Sequence, residues 1–205
     1  MAAGGTMSMI EGVARVAADR GSQSLVAGLR AQDPAVAAPL WQRFAPLVFR
    51  LLQHTLGPDA AVDDAVHVVM LCVFHRGRRL RPRADLRKLV LETTARVAQG
   101  ERRRRTISWL AAVGRVAGLR APRSRTTRGD ESVRRFYRVL DRLNAPERIA
   151  FVFHHIERLD IREVAAATGA SLERTARRLQ RSLIKVAEWI EDDPVLRHSA
   201  RPGNA

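Results

Sequence analysis

Aromatic side chains make up only 5% of this chain, too few to supply the stacking platforms of a single-stranded RNA module. A single cysteine, Cys72, excludes an internal disulfide and suits a reducing compartment. No apolar run approaches the ~18 residues of a membrane span. Residues 1–21 lack an apolar stretch behind a basic start, so no secretory signal is read there. The expected location is cytoplasmic, with no membrane partner. Catalytic signatures are missing as well: there is no G-x-x-x-x-G-K, no G-x-S-x-G and no carboxylate pair in a plausible cleft. Cys72 and His75 share a helical face, but no fourth ligand accompanies them, and structural zinc sites need four. An enzyme reading has nothing to stand on, and neither a metal nor a cofactor is implied.

What the chain has in excess is positive charge. Thirty-six Lys and Arg face 21 Asp and Glu, a formal net charge of +15, and the isoelectric point is near 11.6. Such a field draws polyanions, nucleic acid first and anionic membrane second. Nothing alternates at period two for long enough to form a sheet, so the fold class is all-α.

The strongest local pattern is Asp160–Lys185, which reads as a helix-turn-helix. Asp160 and Glu163 have capping-box spacing. Ile161, Val164, Ala165 and Thr168 then share a face. Gly169 offers a left-handed turn without a Cβ penalty, and Ser171 caps the second helix. There Leu172, Ala176, Leu179, Leu183 and Val186 form an apolar stripe. Arg174, Arg177, Arg178, Arg181 and Lys185 fall opposite it. With Thr175, these are the candidate DNA-binding residues of the second helix, the N-terminal ones to read bases and Arg181 and Lys185 to hold phosphate.

In chain order, residues 1–21 are a loose tail with at most one helical turn around Ile10–Ala18. A helical domain is expected over 22–113. Leu40, Phe44, Leu47, Val48, Leu51 and Leu52 form one strong stripe, with a break or kink at Pro46 and a stop at Gly57-Pro58. The next helix should run from about Ala60 to His75, burying Val62, Val66, Val69 and Val73. Asp85 caps a further helix that ends in Arg102–Arg105. Residues 114–130 read as a basic flexible linker. A second domain, 131–191, opens with Val133, Phe136, Tyr137, Leu140 and Leu143. A further capping-box spacing follows at Asn144 and Glu147, and the helix-turn-helix completes the domain. Of the adjacent His154 and His155, one is expected at the core edge and one exposed. Residues 192–205 form a polar tail.

Leu143–Phe151 (LNAPERIAF), Glu163-Val164-Ala165, Gly169-Ala170-Ser171 and Arg178-Leu179-Gln180-Arg181 resemble, in order and spacing, signatures of the sigma-70 family. Those signatures are L-P-x-x-x-R, E-I-A, G-x-S and R-L-x-R. Asp33-Pro34-Ala35, Leu56–Asp59 and Val62–His67 resemble region 2.1–2.2 of its short extracytoplasmic-function (group IV) members. Leu86–Arg105 resembles region 2.3–2.4. The resemblance spans roughly Leu25 to Ile190 and is specific in the second domain, loose in the first. It implies a transcription-initiation factor whose partners are promoter DNA and the beta-prime and beta subunits of core RNA polymerase, with an anti-sigma factor as a further partner. It also implies core docking by Asp63, Asp64 and His67, and DNA contacts by Arg96, Arg102 and Arg103. The alternative is a sigma-derived helix-turn-helix DNA-binding regulator that has lost productive core binding or promoter melting. Several positions depart from the family pattern. Its Gln-Glu pair is His67-Val68, its Trp is Leu89, its base-holding Asn is Arg96, and T-V-K/R is Arg174-Thr175-Ala176.

Overall fold

The computed structural model describes residues 21–57, 62–113 and 128–199, and side chains are described outside 105–113, 128–130 and 199. Every regular element among them is helical: α1 (residues 21–31), a 3-10 turn Pro34–Val36, α2 Ala37–Leu56, α3 Val62–Gly77, α4 Leu86–Val113, α5 Arg128–Asp141, α6 Ala145–Phe151, α7 Ile161–Thr168, α8 Leu172–Asp192 and α9 Pro194–Ser199. The expected N-terminal turn at Ile10–Ala18, most of the linker and the last residues lie outside the described ones.

α2 buries Leu40, Phe44, Val48, Leu51 and Leu52, the stripe expected from the sequence. It runs unbroken through Pro46. Pro46 is exposed while the residues on either side of its turn are locked in the core, so tertiary packing overrides the lost hydrogen bond. α2 ends at Gly57, whose φ of 92° is accessible to glycine without strain. α3 is described from Val62, its expected start near Ala60 lying outside the described residues, and it buries Val62, Val66, Val69 and Val73. Gly77 closes α3, two residues past the expected end at His75: a Cβ there would stand 2.8 Å from Cβ of Leu29, so only glycine lets α1 approach. Asp85 Oδ1 accepts from Lys88 N and caps α4. That helix does not stop at Arg105 but continues to Val113.

In the second half, Asn144 caps α6 by accepting from Glu147 N. α6 then widens into a π turn, Val152–Ile156, that the periodicity did not signal. Both His154 and His155 are half-buried there rather than divided between core edge and solvent, and His154 Nδ1 lies 2.8 Å from the Leu159 carbonyl. The presumed polar tail folds back as α9. Leu196 enters the core, Asp193 caps the helix through Val195 N and Leu196 N, and Arg135 pairs with Asp193 at 3.2 Å.

The two halves pack on each other, α4 against α6 and α7, and α2 against the π turn. Their buried residues form one continuous apolar cluster. Among the described residues, three arginine ion pairs and one histidine contact cross the seam with one polarity, the Arg or His before residue 113 and the carboxylate after 128. Arg50 Nε donates to Glu157 Oε2 at 3.1 Å and His54 Nδ1 lies 2.7 Å from Glu157 Oε1. Arg87 Nε reaches Glu163 at 2.6 Å and Arg102 Nη1 reaches Asp141 at 3.2 Å.

Candidate nucleic-acid interface

The helix-turn-helix forms through its local signals. Asp160 accepts from Arg162 N, Glu163 Oε2 accepts from Asp160 N at 3.1 Å, and the capping box is complete. Gly169 takes the left-handed conformation with φ 63°, and Ser171 Oγ accepts from Arg174 N to start α8. Glu163 also carries the seam contact to Arg87 through its other oxygen, so one side chain both caps α7 and holds it against α4.

α8 is rotated from the expected stripe. Its buried positions are Thr175, Leu179, Ser182 and Val186, whereas Leu172, Ala176 and Leu183 are exposed. The physical reason is close packing: small side chains let α8 approach α6, and the larger leucines are displaced to the flank. Thr175 is therefore not a base reader, since it is 0% exposed and its hydroxyl donates to the Ser171 carbonyl at 2.9 Å. Measured from the buried face, the outward arc holds Glu173, Arg177, Gln180, Arg181 and Ile184, all exposed. Gln180 thus joins the outward arginines, a placement the apolar pattern did not give, and the small residues Thr175 and Ser182 at i and i+7 were the available signal.

The remaining candidates divide. Arg177 pairs with Glu173 one turn back, and Arg181 Nε donates to the Arg177 carbonyl at 3.3 Å; both stay exposed. Lys185 is not free for phosphate in this arrangement, because its Nζ donates to both Glu147 oxygens, at 2.9 and 3.1 Å. That contact takes Glu147 out of the second capping box. Arg178 is half-buried beside it and its guanidinium is held below its ordinary pKa, first by burial and then by Arg174. Arg174 is exposed at the start of α8.

On α4, Arg103 is exposed, whereas Arg102 is mostly covered and tied to Asp141, so it faces the seam rather than a ligand. Arg96 is exposed and borders an open groove of about 470 Å³ together with Arg174 and Arg178. The structure thus brings a candidate from the first half to the candidates of α8. Asp63, Asp64 and His67 sit far along the chain from that cluster, exposed on the first turns of α3. The His67 ring lies 4.8 Å from Trp41, and Val68 (47% exposed) and Leu71 (70%) continue the same face. Among the described residues no cluster of three His, Cys, Asp or Glu could hold a metal ion. None of the helices described is long and apolar enough to cross a membrane.

Residues 134–186, from α5 through most of α8, match the family model described as Sigma-70, region 4. That stretch, with the helix-turn-helix inside it, is similar to region 4 of the sigma-70 family. The resemblance drawn from LNAPERIAF through RLQR is thereby borne out where it was most specific. Two solved structures share the fold of the chain. One, of CnrH in complex with the cytosolic domain of CnrY, is 16% identical, covers 84% of this chain and 99% of that one, and has a TM-score of 0.63. The other, of the sigma factor RpoE in complex with the anti-sigma factor NepR from Bartonella quintana, is 13% identical, covers 75% and 95%, and has a TM-score of 0.57. No curated protein sequence matches the chain. The all-helical expectation holds, and it extends over both halves.

Proposed function

We propose that this protein is a sigma factor of the extracytoplasmic-function type, which directs core RNA polymerase to promoter DNA for transcription initiation. The observation that carries the reading is the region 4 match laid over a helix-turn-helix whose second helix turns arginines outward. Under this reading residues 22–113 dock on the beta-prime subunit and meet the minus-10 element, 114–130 link, and 131–191 meet the beta subunit and the minus-35 major groove. Asp63, Asp64 and His67 take the docking role, and Arg96 and Arg103 the upstream-edge DNA contacts. The protein performs no chemistry of its own and works in the cytoplasm, where an anti-sigma factor is a natural regulator, as NepR is named for RpoE. Co-purification with core polymerase followed by run-off transcription tests the reading. Complex formation with specific transcripts is expected; DNA binding without either would overturn it.

One feature favours the second reading, a sigma-derived DNA-binding regulator. The docking helix presents Val68 and Leu71 to solvent where the family pattern places a carboxylate, which exchanges charge complementarity for apolar contact. Pull-down of core polymerase by wild type and Val68→Glu separates the two: equal capture supports the sigma factor, and capture by Val68→Glu alone supports the regulator.

A further inference from the structure

The groove between α4 and the helix-turn-helix has the composition of a ligand site. Its volume of about 470 Å³ falls within the ~300–1,000 Å³ of small-molecule pockets. Buried Ala95 of α4, Ile149 of α6 and Ala167 of α7 give it an apolar floor, and Gln99 and Thr168 add polar groups to its lining. Arg96, Arg174 and Arg178 stand around it. None of the three has a carboxylate ion-pair partner among the described residues. The acids nearby are committed elsewhere: Glu92 lies 3.8 Å from Arg76 and 3.9 Å from Lys88, and Glu147 is held by Lys185. Arg174 and Arg178 sit one turn apart, and Arg174, after burial, disfavours the charge on Arg178. An anion between them would relieve that repulsion. Guanidinium forks match phosphate oxygens bidentately, and an apolar floor beside them accepts the face of a heterocycle.

We propose that this groove binds a small polyphosphate anion, free or carried on a nucleoside, with its phosphates bridging Arg96 of the first half to Arg174 and Arg178 of the second. A ligand so placed ties the two halves together. It also occupies arginines at the start of the helix that, on the sigma-factor reading, meets DNA. Ligand and promoter DNA then compete, and each weakens the other's affinity by the same factor.

The test is calorimetric titration of the full chain with ATP, inorganic tripolyphosphate and adenosine, at about 0.15 M salt so that diffuse attraction is screened. Saturable 1:1 binding of ATP and tripolyphosphate is expected, with none for adenosine. Tighter ATP binding identifies the nucleotide as the source, and equal binding identifies free polyphosphate. Arg96→Gln, on an exposed helix surface, should weaken binding roughly tenfold or more, about the loss of one charge-assisted contact. Arg78→Gln and Arg197→Gln, outside the groove, should leave it unchanged. Absence of saturable binding, or equal losses from Arg96→Gln and Arg78→Gln, would overturn the proposal. In a second arm, ATP should weaken binding of a minus-35 duplex to wild type and do so less for Arg96→Gln. Should the chain bind no DNA at all, the sigma-factor reading fails while the titration still decides the site.

Discussion

The two faces of the C-terminal half carry opposite charge. Toward α2 and α4 it turns Asp141, Glu157 and Glu163, each bound to a cation of the first half. Away from them α8 turns Arg177 and Arg181. A chain of net charge +15 would repel itself if its cations were spread evenly. Segregation instead lets the acidic face clamp the first half and leaves the basic face for a polyanion. Charge on one face therefore governs ligand affinity, and charge on the other governs how the halves hold together.

The largest effect is expected on the basic face. With about four to six phosphate contacts, the log–log dependence of DNA affinity on salt should have a slope of roughly −4 to −5, from ~0.9 per contact. Replacing Arg177 and Arg181 together by Glu should lower affinity by on the order of 100-fold and flatten that slope by about two contacts. Fluorescence anisotropy across a salt series measures both. An unchanged slope in the double variant would show that the outward arc of α8 is not the DNA face.

Next comes promoter opening, where the first half is on trial. Holding an extruded base costs a few kcal/mol in unstacking, and Arg96 can only donate where the family Asn both donates and accepts. No aromatic stands between Phe74 and Trp109 to stack on that base. Transcription should therefore be weak on duplex promoters and recover severalfold on a pre-melted bubble, and Arg96→Asn should raise duplex activity. Equal activity on both templates would mean that Arg96 is part of a different base-holding arrangement.

The acidic face is tested through Glu157. Its side chain is only 7% exposed and accepts from both Arg50 and His54. Glu157→Gln keeps the shape but removes the charge, and should cost about 1–2 kcal/mol, less than the ~3–5 of a fully buried pair because Arg50 remains half solvated. Urea midpoints read the loss. DNA affinity should stay the same or rise, since the basic face is untouched. A fall in DNA affinity would break the division of labour between the faces.

The helix-turn-helix was legible in the sequence because its determinants are local: Asp160, Glu163, Gly169 and Ser171 act within a few residues of themselves. The rotation of α8 was not, because the hydrophobic pattern favours Leu172 and Leu183 as core while the packing distance to α6 selects Thr175 and Ser182. The seam was invisible for another reason. Pairs such as Arg50–Glu157 and Arg102–Asp141 join residues 107 and 39 apart, and no spacing rule reaches that far. Thr175 makes the point testable. Thr175→Val keeps its volume and removes a hydroxyl that is satisfied only by Ser171, so stability should change by less than about 1 kcal/mol and the preferred DNA sequence not at all. A binding-site selection with the variant that returned a new consensus would restore Thr175 as a reader.

The smallest effect concerns pH and lies where the two halves meet. His155 sits on the π turn with its ring 4.9 Å from Phe151 and 4.9 Å from His154, and its Nε2 is buried without a hydrogen-bond partner. Burial pushes its pKa below the ordinary histidine value, and the neighbouring His154 and Arg158 push the same way. Over the interval between the folded and unfolded pKa the unfolded chain binds more protons, so stability rises with pH there. The contribution is fully present above about pH 6.5, the unfolded value, and is lost as pH falls through the folded one. Melting temperature should therefore drop between pH 7 and pH 5. His155→Leu removes the titrating group and fills the same apolar place, so its decline over that range should be shallower than that of the wild type. Parallel declines in the two proteins would show that His155 is not the source of the acid sensitivity.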